Sequence, residues 1–252
     1  RGMALLTDRA AVVTGGASGI GRGIALEYAR QGADVVVADV REEPKEEGAP
    51  THEVIADETD REATFVECDV TAVADLEAAV DAADAFGGID AMVNNAGIWR
   101  PEDFLEVTEE QYAELMDINA KGTYFGSQAA ATRMIDQGTG GAIVNVSSIN
   151  GIYGNGGHPT YTVSKGGIRT LSRSLAHGLG DHGIRVNAIF PGAIETEIGP
   201  ERGGEPTAEE QQAAESQMEQ LRQMIPLGRQ GQPADIAGPA VFLASDRAAY
   251  TT

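Results

Sequence analysis

The sequence predicts an α/β fold in which a single domain is built on one doubly wound, Rossmann-like parallel sheet with helices on both faces. Short apolar runs alternate with helical patterns at the spacing of βα units, and no internal repeat is evident. A glycine-rich turn joins the first apolar run to the first helical pattern. A chain of 252 residues also lies within the range of one such domain, which we expect to span residues 3–252.

The first strand, turn and helix predict a nucleotide-binding cradle. The apolar run Ala10–Val13 is predicted to be a buried strand, the turn follows at Thr14–Gly21, and helical periodicity continues over Ile20–Ala29. Glycines in such a turn let the backbone approach a pyrophosphate closely, while the start of the helix offers unpaired N–H groups and a positive dipole end. The next strand, Asp34–Asp39, ends in a carboxylate eighteen residues beyond Gly21. Because this is near the spacing at which an acidic residue meets adenosine ribose hydroxyls, a dinucleotide is predicted.

The later elements continue the alternation of helices and strands. A helix with an apolar face begins at Val73 and ends before Gly87, and the capping box Thr108-x-x-Gln111 opens a long helix to about Gln137. Two stretches break the pattern, namely the charged residues 41–61 and residues 196–226, in which Thr207-x-x-Glu210 caps a glutamine-rich helix. Four further strands are predicted near Thr64–Val66, Ile89–Val93, Gly141–Val146 and Ile184–Ile189.

Tyr161 and Lys165 form a candidate proton-transfer pair thirteen residues after Ser148. Four residues apart on a helix, they lie on one face about one turn apart, so the ammonium can favour the ionised phenol. Without further context, a tyrosine and a lysine at this spacing are more often chance neighbours on a helix surface. In a chain that also carries a nucleotide cradle, the pair predicts a general acid/base.

The charge balance limits the partners of the chain. It carries 39 acidic and 18 basic residues, a net charge of −21, and only three of its cations are lysines. An acidic, lysine-poor surface is typical of halophilic adaptation, with an ordinary acidic enzyme as the alternative. Nucleic acid is not expected as a partner, because binding phosphates needs clustered cations that this chain lacks. The runs Glu42-Glu43 and Glu46-Glu47 are predicted to form a solvated loop rather than a binding site.

The sequence indicates neither a membrane segment nor a metal site. No apolar run approaches the roughly eighteen residues of a membrane span. The single cysteine, Cys68, cannot form an intramolecular disulfide and is predicted to occupy a buried strand position. The four histidines show no metal-ligand spacing, so no metal is expected. A cytoplasmic protein without a membrane partner is the simplest interpretation.

Further motifs follow the glycine turn in a fixed order. The pattern T-G-x-x-x-G-x-G at Thr14–Gly21 is followed by Asn94–Gly97 as N-N-A-G, by Asn119, by the second serine of Val144–Ser148, by Tyr161 and Lys165, and by Pro191–Thr196. Together these motifs resemble the short-chain dehydrogenase/reductase family, over about Leu5–Tyr250. So many ordered matches are not expected by chance.

The resemblance implies reversible hydride transfer between a nicotinamide and a hydroxyl-bearing carbon. Tyr161 would exchange the hydroxyl proton, and Lys165 would lower the pKa of Tyr161 and hold the nicotinamide ribose. Ser148 would form a hydrogen bond with the substrate oxygen, and Asn119 would position a water chain that relays the proton outward. General acid/base help of this kind accelerates a reaction roughly 10²–10⁴-fold.

The resemblance also implies NAD as the cofactor. Asp39 would take both adenosine ribose hydroxyls, whereas Asn94 could instead brace the sheet. Asp69 and Val70 would meet the adenine edge, and Ile194 and Thr196 would meet the nicotinamide amide. The implied cofactor-binding residues are Gly15, Ser18, Gly19, Ile20, Gly21, Asp39, Asp69, Val70, Asn95, Ala96, Gly97, Tyr161, Lys165, Pro191, Gly192, Ile194 and Thr196.

The resemblance implies the class of substrate and the type of assembly, but not the individual substrate. A small alcohol, sugar or ketone is expected as in sugar 1-dehydrogenases, with a 3-oxoacyl thioester reductase and a non-catalytic dinucleotide sensor as alternatives. The family places a substrate lid at residues 196–226 and forms homotetramers. Relatives continue through an edge strand beyond the position of Thr252, so this strand is expected to be absent from the chain. Pocket candidates by position are Asn150, Tyr153, His158 and Trp99.

Overall fold

Six parallel strands form one sheet, which confirms the predicted fold class. The computed structural model describes residues 4–196 and 222–252. The strands are β1 (Arg9–Thr14), β2 (Ala33–Asp39), β3 (Ala63–Glu67), β4 (Ala91–Asn94), β5 (Gly141–Val146) and β6 (Ile184–Ile189). Their order in the sheet is β3-β2-β1-β4-β5-β6, and Val12 of β1 lies beside Val36 on one side and Met92 on the other. The direction of strand addition therefore reverses between β1 and β4.

The helices connect these strands and largely follow the predicted pattern. They are α1 (Gly19–Arg30), α2 (Thr51–Glu58), α3 (Val73–Asp81), α4 (Glu109–Met116), α5 (Gly122–Gln137), α6 (Asn150–Tyr153), α7 (Pro159–Leu179) and α8 (Pro233–Ala244). The predicted capping box is present, because Gln111 N donates to Thr108 Oγ1 at 3.2 Å and Thr108 N donates to Gln111 Oε1 at 3.0 Å. The cap and lid predicted for residues 196–226 lie mostly outside the described residues.

The structure corrects the sequence prediction at two helices. The charged stretch 41–61 contains α2, whose Ile55 is fully buried although the charges around it hide the apolar pattern. The helix predicted from Thr108 to Gln137 is not uniform, since the five-residue π-helical turn Asp117–Lys121 separates α4 from α5. Such turns are rare and are frequently found at functional sites.

Two apolar clusters cover the two faces of the sheet. Val13 and Val37 pack with α1 and α8 on one face, whereas Val12 and Val36 pack with α3 and α5 on the other. Burial on both faces explains why the strands are nearly continuous apolar runs. Each fully buried valine or isoleucine side chain contributes roughly 1.5–3 kcal/mol, so the central strands form a rigid base for the residues at their ends.

The strand β6 lies at one edge of the described sheet. Its neighbour on the outer side is the last part of the chain, where Asn187 Nδ2 donates to Thr251 O at 2.8 Å and Val186 N donates to Thr252 Oγ1 at 2.9 Å. No further strand pairs with β6 within residues 4–196 and 222–252.

Candidate active site

The turn between β1 and α1 is shaped by glycines and braced by Asn95. Gly15 has a left-handed φ of 64°, and its N–H donates to Ala38 O at 2.8 Å. A Cβ on Gly21 would lie 2.0 Å from Gly15 O, so only glycine permits this approach. The Asn95 side-chain amide donates to Thr14 O at 3.0 Å and to Gly15 O at 3.2 Å. The sequence did not predict this bracing role for Asn95.

A cleft of about 310 Å³ lies beside this turn. Its walls follow the carboxyl ends of β1, β2, β3 and β4, which is where open α/β sheets bind ligands. The cleft fits a dinucleotide, because it joins the open backbone of a glycine turn to a carboxylate and to apolar walls. It brings together eleven of the predicted cofactor residues, namely Gly15, Ser18, Gly19, Ile20, Asp39, Asp69, Val70, Asn95, Ala96, Gly97 and Thr196.

The remaining predicted cofactor residues do not line this cleft. Gly21 packs beneath the turn, while Ile194 forms a β-bridge with Gly231 and packs against the core around α1 and α8. The carbonyl of Pro191 accepts from Ile149 N at 3.1 Å. Six lining residues were missed by the sequence reasoning: Val40, Arg41, Lys45, Cys68, Ile98 and Ile118. The other predicted residues outside the lining are Gly192, Tyr161 and Lys165.

Asp39 lies at the end of β2 and faces the cleft. Its Oδ2 accepts from Ala17 N at 3.1 Å, so the carboxylate is already fixed to the glycine turn. Burial raises the pKa of Asp39, and the hydrogen bonds from the backbone N–H groups of Ala17, Arg41 and Val40 oppose this rise. The carboxylate is therefore held in place at the wall of the cleft.

Part of the acidic segment after β2 contacts the glycine turn, contrary to the predicted solvated loop. Gly19 N donates to Glu46 Oε1 at 3.0 Å, and Lys45 N donates to Ser18 Oγ at 2.7 Å. Arg22 Nε lies 3.9 Å from the same Glu46 oxygen. A carboxylate is favourable here because the start of α1 carries a positive dipole end. The segment therefore packs against the turn that opens the cleft.

Cys68 is buried but follows β3 rather than lying within it, which corrects the predicted strand position. Its N–H donates to Asp39 O at 2.9 Å. Burial, followed by the nearby carboxylates of Asp75, Asp69 and Asp39, raises the pKa of the Cys68 thiol to about 12. A thiol that stays protonated in this way is a poor nucleophile, so Cys68 has a packing role.

Ser148 and Tyr161 meet where the end of β5 faces α7. Both side chains are buried. Burial raises the pKa of Tyr161, and the nearby hydroxyl group of Ser148 opposes this rise. Ser148 Oγ also accepts from Asn150 N at 3.2 Å. The structure thus unites the two hydroxyl groups that the sequence predicted to act on one substrate oxygen.

Lys165 lies one turn after Tyr161, with Nζ 5.7 Å from the centre of the tyrosine ring. Nζ donates to Val146 O at 2.8 Å, and burial lowers the pKa of Lys165 to about 8. Burial is the largest influence on the pKa of Tyr161 and raises it, so the lowering of that pKa by Lys165 stays a prediction. The ammonium is held by the strand carbonyl instead of by the phenol.

Asn119 lies in the π-helical turn and is fully buried. Its Oδ1 accepts from Ile98 N at 2.8 Å, and its Nδ2 donates to Ile98 O at 3.0 Å and to Ser164 Oγ at 3.1 Å. A Cβ on Gly97 would lie 3.1 Å from Asn119 Oδ1 and 3.5 Å from Lys165 Nζ. Asn119 therefore joins the wall of the cofactor cleft to α7, next to Lys165.

The predicted brace at Asn94 is present. Its Nδ2 donates to Asn145 Oδ1 at 2.9 Å and to Ser127 Oγ at 3.0 Å. Asn145 Nδ2 in turn donates to Ser172 Oγ at 2.9 Å. This buried polar chain connects β4 and β5 to α5 and α7, so it helps to fix α7, which carries Tyr161 and Lys165.

Three of the four pocket candidates form a cluster at the start of α7. His158 Nε2 lies 2.9 Å from Asn150 Nδ2, and the His158 ring packs edge-on against Trp99 at 5.5 Å and against Tyr161 at 5.8 Å between ring centres. Burial lowers the pKa of His158, while the carboxylate of Glu102 opposes this change. Tyr153 is 83% exposed and has no place in this cluster.

The described residues form neither a metal-binding cluster nor a membrane-spanning helix. Within residues 4–196 and 222–252, no group of three or more histidine, cysteine, aspartate or glutamate side chains is placed to hold a metal ion. In that same part of the chain, no helix has the length and apolar character needed to cross a membrane.

Comparison with known proteins places these features in a family. The family model described as "Enoyl-(Acyl carrier protein) reductase" matches residues 15–252. A short-chain type dehydrogenase/reductase from Mycobacterium marinum has a solved structure that is similar, with a TM-score of 0.84 at 33% identity, covering 99% of this chain and 93% of that one. The chain belongs to the short-chain dehydrogenase/reductase family.

Two sequence relatives of this dehydrogenase/reductase act on a sugar according to their names. The "L-rhamnose 1-dehydrogenase (NAD(P)(+))" of Azotobacter vinelandii is 42% identical over 252 residues, which cover 98% of this chain and 94% of the relative. The "L-rhamnose-1-dehydrogenase" of Scheffersomyces stipitis is 39% identical over 250 residues, covering 98% and 92%. This family member is accordingly an oxidoreductase that acts on a hydroxyl-bearing carbon with NAD(P), which confirms the predicted enzyme class.

Proposed function

We propose that the protein oxidises the C1 hydroxyl of an aldose, or a comparable small secondary alcohol, with NAD as the preferred cofactor. The observation that carries the proposal is the buried pair Ser148 and Tyr161, whose hydroxyl groups interact, beside the polar contact of Asn150 with His158. This arrangement offers an acceptor and donors to a substrate with several hydroxyl groups. Two relatives named as rhamnose 1-dehydrogenases support the sugar as substrate class.

Each residue of the proposed tetrad has a separate task. Tyr161 removes the proton of the substrate hydroxyl, and Ser148 forms a hydrogen bond with the same oxygen. Lys165 carries a charge next to the phenol and binds the cofactor ribose. The Asn119 side chain is already occupied by Ile98 and Ser164, so we assign it the task of holding the cleft wall beside Lys165, in addition to ordering the water relay. When bound, the dinucleotide supplies the hydride acceptor.

The preference for NAD rests on Asp39. A 2′-phosphate placed about 4 Å from this carboxylate would meet a repulsion of about 4 kcal/mol per unit charge pair at an effective dielectric constant of 20. Arg41 and Lys45 line the same end of the cleft and offset part of this repulsion. We expect the kcat/KM for NAD to exceed that for NADP by at least about tenfold, and equal values would contradict the preference.

The deciding experiment measures kcat/KM for L-rhamnose, other aldoses and 2,3-butanediol oxidation, and for the reduction of an acetoacetyl thioester. We expect an aldose to be the best substrate. The named relatives do not favour the alternative 3-oxoacyl reductase, and a thioester of an anionic carrier would approach a surface of the same sign. Thioester reduction that is about tenfold faster than every oxidation would reverse the assignment.

Variants test the chemistry independently of substrate choice. Tyr161→Phe should lose roughly a hundredfold or more in kcat while NAD binding is kept, because only the hydroxyl is removed. Tyr153→Phe is the matched control, since Tyr153 is exposed and lies outside the cluster. A Tyr161→Phe variant that kept most of the wild-type kcat would refute the tetrad. Binding of NAD with no turnover of any alcohol by the wild-type protein would favour the dinucleotide sensor instead.

The remaining expectations complete the proposal. We infer a single domain with its substrate lid at residues 196–226, a homotetramer, a cytoplasmic location and adaptation to high salt. The acidic surface supports the last of these. Mass measurement in about molar salt tests the tetramer, because surface repulsion is screened there.

A further inference from the structure

Glu102 supplies the carboxylate at the start of α7, the helix that carries Tyr161 and Lys165. Its Oε2 accepts from Thr160 N at 2.8 Å, and its own N–H donates to Gly157 O at 2.8 Å. The side chain is only 3% exposed. Two hydrogen bonds thus join the loop after β4 to Gly157, which precedes α7, and to Thr160 in the first turn of α7.

The helix does not provide such a group from its own sequence. His158 occupies the cap position of α7 without a side-chain cap hydrogen bond, and the first turn contains no acidic residue. Unpaired N–H groups and the positive dipole end at a helix start favour a carboxylate. Here the carboxylate comes from a residue 58 positions earlier in the chain.

The turn held by Glu102 contains the groups that face the substrate. Thr160 directly precedes Tyr161, and His158 packs edge-on against the tyrosine ring at 5.8 Å. Because Thr160 N is bonded to Glu102, loss of that bond would free the turn to shift or rotate. A displacement of about 1 Å at a reacting group can cost up to a hundredfold in rate.

A packing role alone does not explain an acceptor oxygen at this position. Glu102 Oε1 and Arg100 Nε are buried 3.7 Å apart, and neither atom has a hydrogen-bond partner among the described residues. Arg100 instead uses its other nitrogens to bond Glu114 and the carbonyl of Gln111. Burying a charge with an unsatisfied oxygen is costly, and an apolar side chain of the same size would pack at lower cost.

We propose that Glu102 is a positioning residue of the active site, which holds the first turn of α7 so that the Tyr161 hydroxyl and His158 stay aligned. This inference rests on the proposed role of Tyr161. It extends the site to a residue that touches neither the cofactor cleft nor the Ser148 hydroxyl.

The test compares three substitutions at Glu102 with a control in the same loop. Glu102→Gln keeps an oxygen at the same reach, Glu102→Asp keeps the charge but shortens the reach, and Glu102→Leu removes both. Glu106→Leu is the control, because Glu106 is exposed. We expect kcat per folded enzyme to fall about tenfold or more in the Asp and Leu variants, with the Kd for NAD and the Gln and control variants near wild type.

A second readout does not depend on activity. Trp99 is the only tryptophan of the chain and packs 5.5 Å from His158, so its fluorescence reports on the contact between the loop and α7. Its emission should shift to longer wavelength in the Asp and Leu variants and stay unchanged in the Gln variant.

The outcomes separate this inference from the proposed function. If the Asp and Gln variants have the same kcat per folded enzyme, the positioning role is refuted, and this comparison decides the matter even if the Leu variant does not fold. Unchanged Trp99 emission in the Asp variant also refutes it. If Tyr161→Phe retains activity, the proposed chemistry fails, whatever the Glu102 variants show.

Discussion

Replacing Lys165 by methionine should make the folded protein more stable at neutral pH while abolishing activity. Burial lowers the pKa of Lys165 from 10.5 to about 8, which means that the folded state resists the charged form. Methionine has a similar length and no charge. The ammonium that the chemistry requires is therefore a source of instability in the fold.

The size and the pH dependence of this effect follow from the two pKa values. The difference between 10.5 and about 8 corresponds to a cost of roughly 3 kcal/mol for the protonated side chain in the folded state. Methionine also loses the hydrogen bond to Val146 O, which is worth about 1 kcal/mol. We expect a net gain of about 2 kcal/mol below pH 8, or roughly 4–8 °C in Tm for a chain of this size.

The sign of the pH dependence gives the sharper test. Between pH 8 and 10.5 the unfolded chain still binds the lysine proton whereas the folded protein has released it, so wild-type stability rises with pH through this window. The stability advantage of the methionine variant should shrink accordingly. Urea unfolding at matched protein concentration, at about pH 7 and pH 10, measures both differences.

The control is Lys121→Met, at a lysine that is only partly buried. Its effect on stability should be small at both pH values. A Lys165→Met protein that is less stable than wild type at pH 7, or whose advantage does not change up to pH 10, would refute the argument from burial.

Two further predictions concern close packing and salt. Gly151→Ala should lower both kcat and Tm, because its Cβ would lie 2.6 Å from the Lys165 carbonyl carbon, and overpacking of this kind costs about 1–3 kcal/mol. Gly167→Ala on α7 is the control and should be neutral or stabilising, since nothing lies within 4 Å of its Cβ, and equal losses in the two variants would contradict the packing argument. Tm should rise between dilute buffer and about 2 M KCl, because salt screens the net charge of −21, and differential scanning fluorimetry that shows no rise would count against salt adaptation.

The sequence was sufficient for the fold because its strands are buried on both faces. A run such as Asp34–Asp39 has one interpretation when it stands between two helical patterns, and the observed β2 begins only one residue earlier. The helix α2 was missed because a single buried apolar residue, Ile55, carries its packing among many charges. The π-helical turn at Asn119 was missed because its residues continue an ordinary helical pattern.

The site was predictable where its residues follow strand ends in order along the chain. Asp39, Asn95 and Ser148 all follow or end a parallel strand, so the topology alone gathers them at one edge of the sheet. Contacts between loops that are far apart in the sequence have no comparable pattern by which they could be predicted. Glu46 on the glycine turn and Glu102 on α7 depend on how two irregular segments pack, which neither spacing nor periodicity encodes.

The charged groups of the site whose burial destabilises the fold lie on or against one helix, α7. Lys165 is stabilised in its charged form by little more than the carbonyl of Val146, and Glu102 keeps one oxygen without a hydrogen bond among the described residues. Both lie on or against α7, whereas the apolar clusters on the two faces of the sheet contribute the stability that offsets them. Apolar replacement of Lys165 should therefore stabilise the fold and remove activity together, whereas apolar replacement of Glu102 would leave Thr160 N without its acceptor. Activity would be lost at Lys165 because the ammonium itself is missing, and at Glu102 because the Tyr161 hydroxyl is no longer aligned. An amide side chain of similar shape should therefore restore activity at position 102 but not at position 165.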